Sequence, residues 1–165
     1  MVYFAYGSNM LRERLFERIG NAGELGTARL PGYRLVFHKR GDDGSGKCTV
    51  VGNHAGHEVW GVVFELNAPQ KATLDQYEGR GYSVEKVVLS HNDTPLEAFT
   101  YISRQRWLDP SAQPYSWYKG LVLVGAIQAG LPRPHVARIE SVSAIEDNDH
   151  DRANANKGLI RRSED

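Results

Sequence analysis

Near the start of the chain, the run Tyr3-Phe4-Ala5-Tyr6-Gly7-Ser8-Asn9-Met10 passes from aromatic and small residues into a turn of glycine, serine and asparagine. Backbone N–H groups in such a turn, just ahead of a helix, lack intrahelical partners, and the helix dipole adds partial positive charge. Gly7-Ser8-Asn9 is therefore a candidate socket for an anion. The plainer reading is a helix N-cap by Ser8 or Asn9. A capping box needs Glu or Gln three residues after the cap, and Leu11 and Arg12 stand there, so at least one donor is left free. Ser8 lacks the G-x-S-x-G setting of a nucleophile.

A second candidate is Glu78, in Leu74-Asp75-Gln76-Tyr77-Glu78-Gly79-Arg80-Gly81-Tyr82. It falls at the expected end of a helix, where the negative pole disfavours a further negative charge, a setting that suits a group exchanging protons. The plainer reading is a surface glutamate before a helix-stopping glycine. Asp75 has the same chemistry and is expected on a solvated face. The six histidines show no metal-ligand spacing, and Cys48, within a strand-like run, reads as a small buried hydrophobe. Asp147, Asp149 and Asp151 alternate like a calcium loop but lack its glycine and terminal glutamate, so they read as part of a solvated tail. Tyr115, Trp117 and Tyr118 crowd the start of an apolar helix, where aromatics are usually core, although a buried tyrosine hydroxyl needs a partner.

These groups must be held by the elements between them. Val2 to Tyr6 reads as a buried strand and Met10 to Ile19 as an amphipathic helix with Arg12, Glu13, Arg14 and Glu17 outward. Two further strands, Glu24 to Leu30 and Tyr33 to Arg40, are expected to form a hairpin at Pro31-Gly32. Gly41 to Lys47 is too rich in small and polar residues to pack and reads as a mobile loop, a flap before the strand Cys48 to Asn53. Glu58 to Leu66 is dense in β-branched and aromatic residues and reads as the central strand. Asn67 and Pro69 mark the start of the helix that ends at Glu78. Tyr82 to His91 and Leu96 to Ser103 suit a hairpin, Ser116 to Ala129 an apolar helix stopped by Gly130 and Pro132, and Val136 to Val142 a short helix. Strands in both halves with helices between them indicate an α+β domain with a strongly curved or closed sheet. The expected domain spans residues 1–146, followed by a polar, partly disordered tail over 147–165.

Composition bounds the function. A chain of 165 residues with 41% hydrophobic and 24% charged residues and no formal net charge is expected to be one soluble domain with neither a nucleic-acid partner nor a membrane anchor. One cysteine and no charged-then-apolar leader before Tyr3 make a reducing, cytoplasmic location the expectation.

Taken together, these stretches resemble the γ-glutamylcyclotransferase family. Tyr3 to Met10 is similar to the family's signature, and three further segments follow in family order: Glu58 to Val63, Leu74 to Gly79, and Tyr118 followed by Gly125-Ala126 and Gly130-Leu131-Pro132. The resemblance covers residues 2 to 145. It implies a small α+β fold with a barrel-like mixed sheet, no metal or cofactor, and release of an amine or amino acid from a γ-glutamyl compound by closure of the glutamyl part into 5-oxoproline. It further implies that Tyr3, Phe4, Ala5, Tyr6, Gly7, Ser8 and Asn9 hold the glutamyl moiety, that Glu78 is the acid/base, and that Tyr118 contacts the substrate. The Tyr-Gly-Ser-Asn form departs from the glutathione-specific branch, whose loop continues with apolar residues after Ser. The segments Gly41 to Lys47 and Arg104 to Asp109 match no part of the pattern; such loops are expected to meet the leaving group, whose identity stays open. The partner is thus a small γ-glutamyl molecule and the protein a monomer or homodimer. Two rivals remain: a tailoring enzyme that removes a γ-glutamyl protecting group from a larger amine, and a non-catalytic binding module of the same fold.

Overall fold

A computed structural model describes residues 1–164. Seven strands and five helices follow the chain as β1 (Val2–Ala5), α1 (Arg12–Ile19), β2 (Gly23–Pro31), β3 (Arg34–Arg40), β4 (Gly46–Val51), β5 (Glu58–Glu65), α2 (Ala68–Glu78), β6 (Tyr82–His91), β7 (Thr94–Ser103), α3 (Ser116–Gln128), α4 (Arg133–Glu140) and α5 (His150–Glu164). Five of the strands close a barrel in the order β1-β5-β2-β6-β7, with β7 returning beside β1 in parallel at Tyr3 and Phe99. The expected α+β class and barrel-like mixed sheet are what the chain adopts.

The densest apolar strand is the central one. β5 pairs antiparallel with β1 on one side, from Val2 opposite Glu65 to Ala5 opposite Val62, and with β2 on the other. Val59, Val62, Val63 and Phe64 are buried, because a barrel strand has packed side chains inside and covering elements outside. At Gly61 the neighbouring strand comes so close that a Cβ would lie 2.3 Å from the Ala5 carbonyl and 2.7 Å from the Phe4 ring.

Two terminations were legible locally and hold. α2 begins with a capping box, in which the Asn67 side chain accepts from the Gln70 N–H and Gln70 accepts from the Asn67 N–H, with proline in the first turn. β6 and β7 pair in register from Tyr82 opposite Ser103 to His91 opposite Thr94. Asn92 and Asp93 turn the hairpin with φ of 49° and 57°, the left-handed pair that a two-residue hairpin turn requires.

The hairpin expected at Pro31-Gly32 does not form. β2 joins the barrel between β5 and β6, while β3 leaves it and pairs with β4 in a separate two-stranded sheet. The dipeptide does turn the chain, but the Gly32 N–H donates to the His57 carbonyl and its own carbonyl accepts from the His54 N–H, tying the turn to the approach to β5. A turn signal fixes a change of direction and not the partner of the next strand.

The segment expected as a polar tail is also folded over its described residues; Asp165 lies outside them. α5 buries Ala153 and Leu159, with Ile160 against α3. Its anchor is ionic: buried Asp147 accepts from the Trp117 indole at 2.8 Å and from the Arg152 guanidinium at 2.7 and 2.6 Å. Few apolar residues suffice when a carboxylate joins two elements in this way, so composition alone concealed the helix.

Replacing Gly61 by Ala forces a methyl into the β1–β5 contact. It should cost about 1–3 kcal/mol, typical of overpacking, read as a lowered thermal midpoint; an unchanged midpoint contradicts the closeness described for this pair.

Candidate active site

β1 ends at Ala5, and the chain then makes one tight turn, Ser8 to Met10, before α1 starts at Arg12. Gly7 eases a crowded approach, since a Cβ would meet the Cys48 Cβ on β4 at 3.0 Å. The cap expected from Ser8 or Asn9 is absent: α1 takes Leu11 as its N-cap and has no side-chain cap. Both side chains point elsewhere. Ser8 Oγ accepts from Arg14 Nε at 3.0 Å. Asn9 is buried, and its Nδ2 donates to Tyr3 Oη at 3.0 Å and to Glu78 Oε1 at 2.9 Å, while its Oδ1 accepts from Arg18 at 2.9 Å. Arg18 also stands 3.6 Å from the Glu78 carboxylate. Backbone N–H groups of Ser8 and Asn9 have no acceptor among the described residues.

Glu78 arrives from the opposite direction, as the last residue of α2, which Gly79 stops with φ of 67°. Its side chain is only 15% exposed, and with its neighbours it divides a cleft at the barrel mouth into two lobes. The narrow inner lobe, about 40 Å³, is lined by Tyr3, Tyr6, Gly7, Ser8, Asn9 and Tyr101 among others. An outer lobe of about 230 Å³ is lined by Arg14, Arg18, Lys39, Lys47, Arg80 and Trp107, with Asp42 the other carboxylate besides Glu78. Ser8, Glu78, Tyr82 and Tyr118 line both.

Of the residues singled out from the sequence, Tyr3, Tyr6, Gly7, Ser8, Asn9, Glu78 and Tyr118 meet at this cleft. Phe4 and Ala5 do not. Phe4 is fully buried and its carbonyl accepts from Thr100 Oγ1, and Ala5 pairs with Val62, so both belong to the barrel core. Asp75 is exposed, held by Lys71 at 2.8 Å and by the Tyr101 hydroxyl at 2.7 Å. Among the described residues, no three acidic, histidine or cysteine side chains gather as a metal site. Burial pushes the Cys48 thiol up to about 12, which leaves it a neutral hydrophobe.

One contribution was missed, the pair Arg14 and Arg18, and two loops expected near the leaving group take part in the wall. Arg14 and Arg18 face the cleft one helical turn apart, although Arg14 was expected outward; that i, i+4 spacing of two arginines was the available signal. Burial lowers the Arg14 guanidinium to about 10, with Arg18 adding to the effect. The loop from Gly41 to Lys47 is pinned: Asp43 accepts from the Ser45 N–H at 3.0 Å and pairs with Lys47 at 2.8 Å, and Gly41, Asp42 and Lys47 form part of the outer wall. Trp107, from the segment that matched no pattern, forms another part.

The tyrosines set the polarity of the inner lobe. Tyr118 Oη accepts from the Cys48 N–H at 3.0 Å and Tyr3 Oη accepts from Asn9, which leaves each O–H free to donate; Tyr82 donates to the Cys48 carbonyl and Tyr6 to the Tyr101 carbonyl. Burial raises all of these phenols above their ordinary range, and the Glu78 charge adds to the rise at Tyr3, Tyr6 and Tyr82. They are neutral donors at any physiological pH.

A closed barrel with a carboxylate held at its mouth by the first turn of the chain defines a fold class seen in solved structures. A protein called Gamma-glutamyl cyclotransferase superposes with a TM-score of 0.85 at 26% identity, covering 98% of both chains. A human protein solved as uncharacterized superposes at 0.82 and 27%, covering 97% of both. Residues 3–119 match the family described as gamma-glutamyl cyclotransferase, AIG2-like, and the chain belongs to that family. Curated relatives include the Gamma-glutamylcyclotransferase of Homo sapiens, 32% identical over 157 residues, and that of Bos taurus, 33% identical over 154; each alignment covers 90% of this chain and 80% of the relative.

An ultraviolet pH titration tests the site's polarity. Tyr3, Tyr6, Tyr82, Tyr101 and Tyr118, five of the eight tyrosines, should ionise well above about 10, the value of a free phenol. In the unfolded chain they ionise near that value, so their contribution to stability is full below it and is lost as pH rises further. Ionisation of these five should therefore coincide with alkaline unfolding; five phenols ionising in the native state near the free value contradict the burial described.

Proposed function

We propose that this protein is a γ-glutamylcyclotransferase that converts a γ-glutamyl amino acid or amine into 5-oxoproline and the free amine, with Glu78 as the acid/base. One observation carries the reading: the Glu78 carboxylate, held by Asn9, stands at the junction of the two lobes.

The reaction is an intramolecular acyl transfer. The substrate's α-ammonium gives a proton to the Glu78 carboxylate, and the freed amine attacks the γ-carbonyl carbon, closing a five-membered ring and putting negative charge on the carbonyl oxygen. Collapse of that intermediate breaks the bond to the leaving nitrogen, which takes the proton back from Glu78, and the extra proton left on the ring nitrogen then passes through the same carboxylate to the freed amine, so that a neutral lactam and an ammonium depart. One group at the junction reaches both nitrogens in turn. The inner lobe, at about 40 Å³, admits a group the size of a carboxylate and not a whole amino acid. The free N–H groups of Ser8 and Asn9 and the spare Tyr3 hydroxyl suit the glutamyl α-carboxylate there, and Tyr118, at the junction, suits the γ-carbonyl oxygen. Folding the glutamyl chain between these points brings its own amine to its own carbonyl, which is where much of the rate gain should lie. Arg18 keeps the carboxylate oriented without a direct hydrogen bond to it, so the proton-accepting oxygen stays available.

Incubation with γ-glutamyl compounds should release 5-oxoproline, detected by mass spectrometry. Glu78→Gln keeps the shape and removes proton exchange, so turnover should fall by roughly 10²–10⁴-fold while the circular dichroism spectrum is retained. Wild-type turnover in this variant rejects Glu78 as the acid/base. Calorimetric binding with no product over hours would assign the fold to a binding module instead.

A further inference from the structure

Lys39, on β3, is a largely buried charged residue with Asp42, Glu78 and Asp43 near enough to act on its charge but none of them paired with it. It is 7% exposed, and its ammonium lies 4.8 Å from the Tyr82 ring centre and 5.1 Å from that of Trp107. Among the described residues its ammonium makes no ion pair and no hydrogen bond. The half-buried cations of the same cleft are committed: Lys47 to Asp43, Arg18 to Asn9 and the Glu78 carboxylate, Arg14 to Ser8 and Asn156. An ammonium set between two aromatic faces at the wall of the cleft, with Asp42, Glu78 and Asp43 acting on it only at a distance, is less favourable than a paired one. Such a group is retained where a ligand supplies the missing anion.

Its position says which part of a ligand that is. Lys39 lines the outer lobe and not the inner one, whereas Glu78 lines both. With the glutamyl α-carboxylate in the inner lobe and the leaving nitrogen at Glu78, whatever the leaving group carries projects toward Lys39. An amino acid carries a carboxylate one carbon from that nitrogen; a simple amine carries nothing that pairs. The outer lobe is also richer in cations than in carboxylates, so an anionic leaving group is drawn in and a cationic one opposed.

We propose that Lys39 is the specificity-determining residue for the leaving group, pairing with a free carboxylate on it and selecting γ-glutamyl amino acids over γ-glutamyl amines. The inference rests on the cyclotransferase reaction proposed above and adds a subsite to it.

The test compares kcat/KM for γ-glutamyl-alanine and γ-glutamyl-ethylamide, which differ only by the leaving-group carboxylate, in the wild-type protein and in Lys39→Met, which keeps the apolar stem. Wild type should prefer the alanine compound by about tenfold or more, and the variant should shrink that preference to within about threefold. A variant that keeps the full preference overturns the assignment. So does a wild-type protein that turns over both compounds equally, a result that needs no variant to fold and leaves the cyclisation itself standing. If neither compound yields 5-oxoproline with wild type, the reaction and the subsite fall together.

Discussion

The hydrogen bond from the Asn9 carboxamide to Glu78 joins the first turn of the chain to the end of α2, 69 residues later, and the site exists only because both partners are delivered to it. Asn9 is fixed because β1 is locked into the barrel beside β5, and Gly7 lets the turn pass close over Cys48 on β4. Glu78 is fixed because β5 runs into the capped start of α2 and Gly79 stops the helix one residue beyond the carboxylate. The same strand thus supports both ends of the pair. With Arg18 holding the other side of the Asn9 amide, the carboxamide has a single usable orientation, its nitrogen toward the carboxylate.

Around this pair the barrel mouth supplies neutral donors and the outer wall supplies charge. The buried tyrosines cannot ionise at working pH, so they add direction without competing with Glu78 for a proton. The cations sit on the other lobe, each matched to a partner among the described residues except Lys39 and the exposed Arg80. A division of this kind, neutral donors inside and cations outside with one carboxylate between them, suits a reaction in which a proton leaves one nitrogen and reaches another within the same bound molecule.

Where a feature depends on residues close in sequence, it could be read from the sequence. The helix start marked by Asn67 and Pro69, the hairpin of Tyr82 to His91 with Leu96 to Ser103, the stop at Gly79 and the density of β5 are all of this sort. The role of the Gly7-Ser8-Asn9 turn was half legible. Its free N–H groups were anticipated, but Ser8 and Asn9 looked like caps because capping is the local use of such side chains, and only the tertiary fold brings Glu78 and Arg14 near enough to take them. Phe4 and Ala5 share the signature with Tyr3 and Tyr6, yet Phe4 is fully buried and Ala5 is paired with Val62 of β5, and these two serve the core. The pairing of β3, the folding of α5 and the role of Lys39 were illegible for one reason: the partner that fixes each of them lies far away in sequence.

A double-mutant cycle on turnover, combining Asn9→Ala with Glu78→Gln, tests the account most directly. If Asn9 acts by holding the Glu78 carboxylate, each single change slows the reaction and the double variant is no slower than Glu78→Gln alone. If the two losses multiply instead, Asn9 and Glu78 act independently, and the pair on which this account of the site is built has no part in the chemistry.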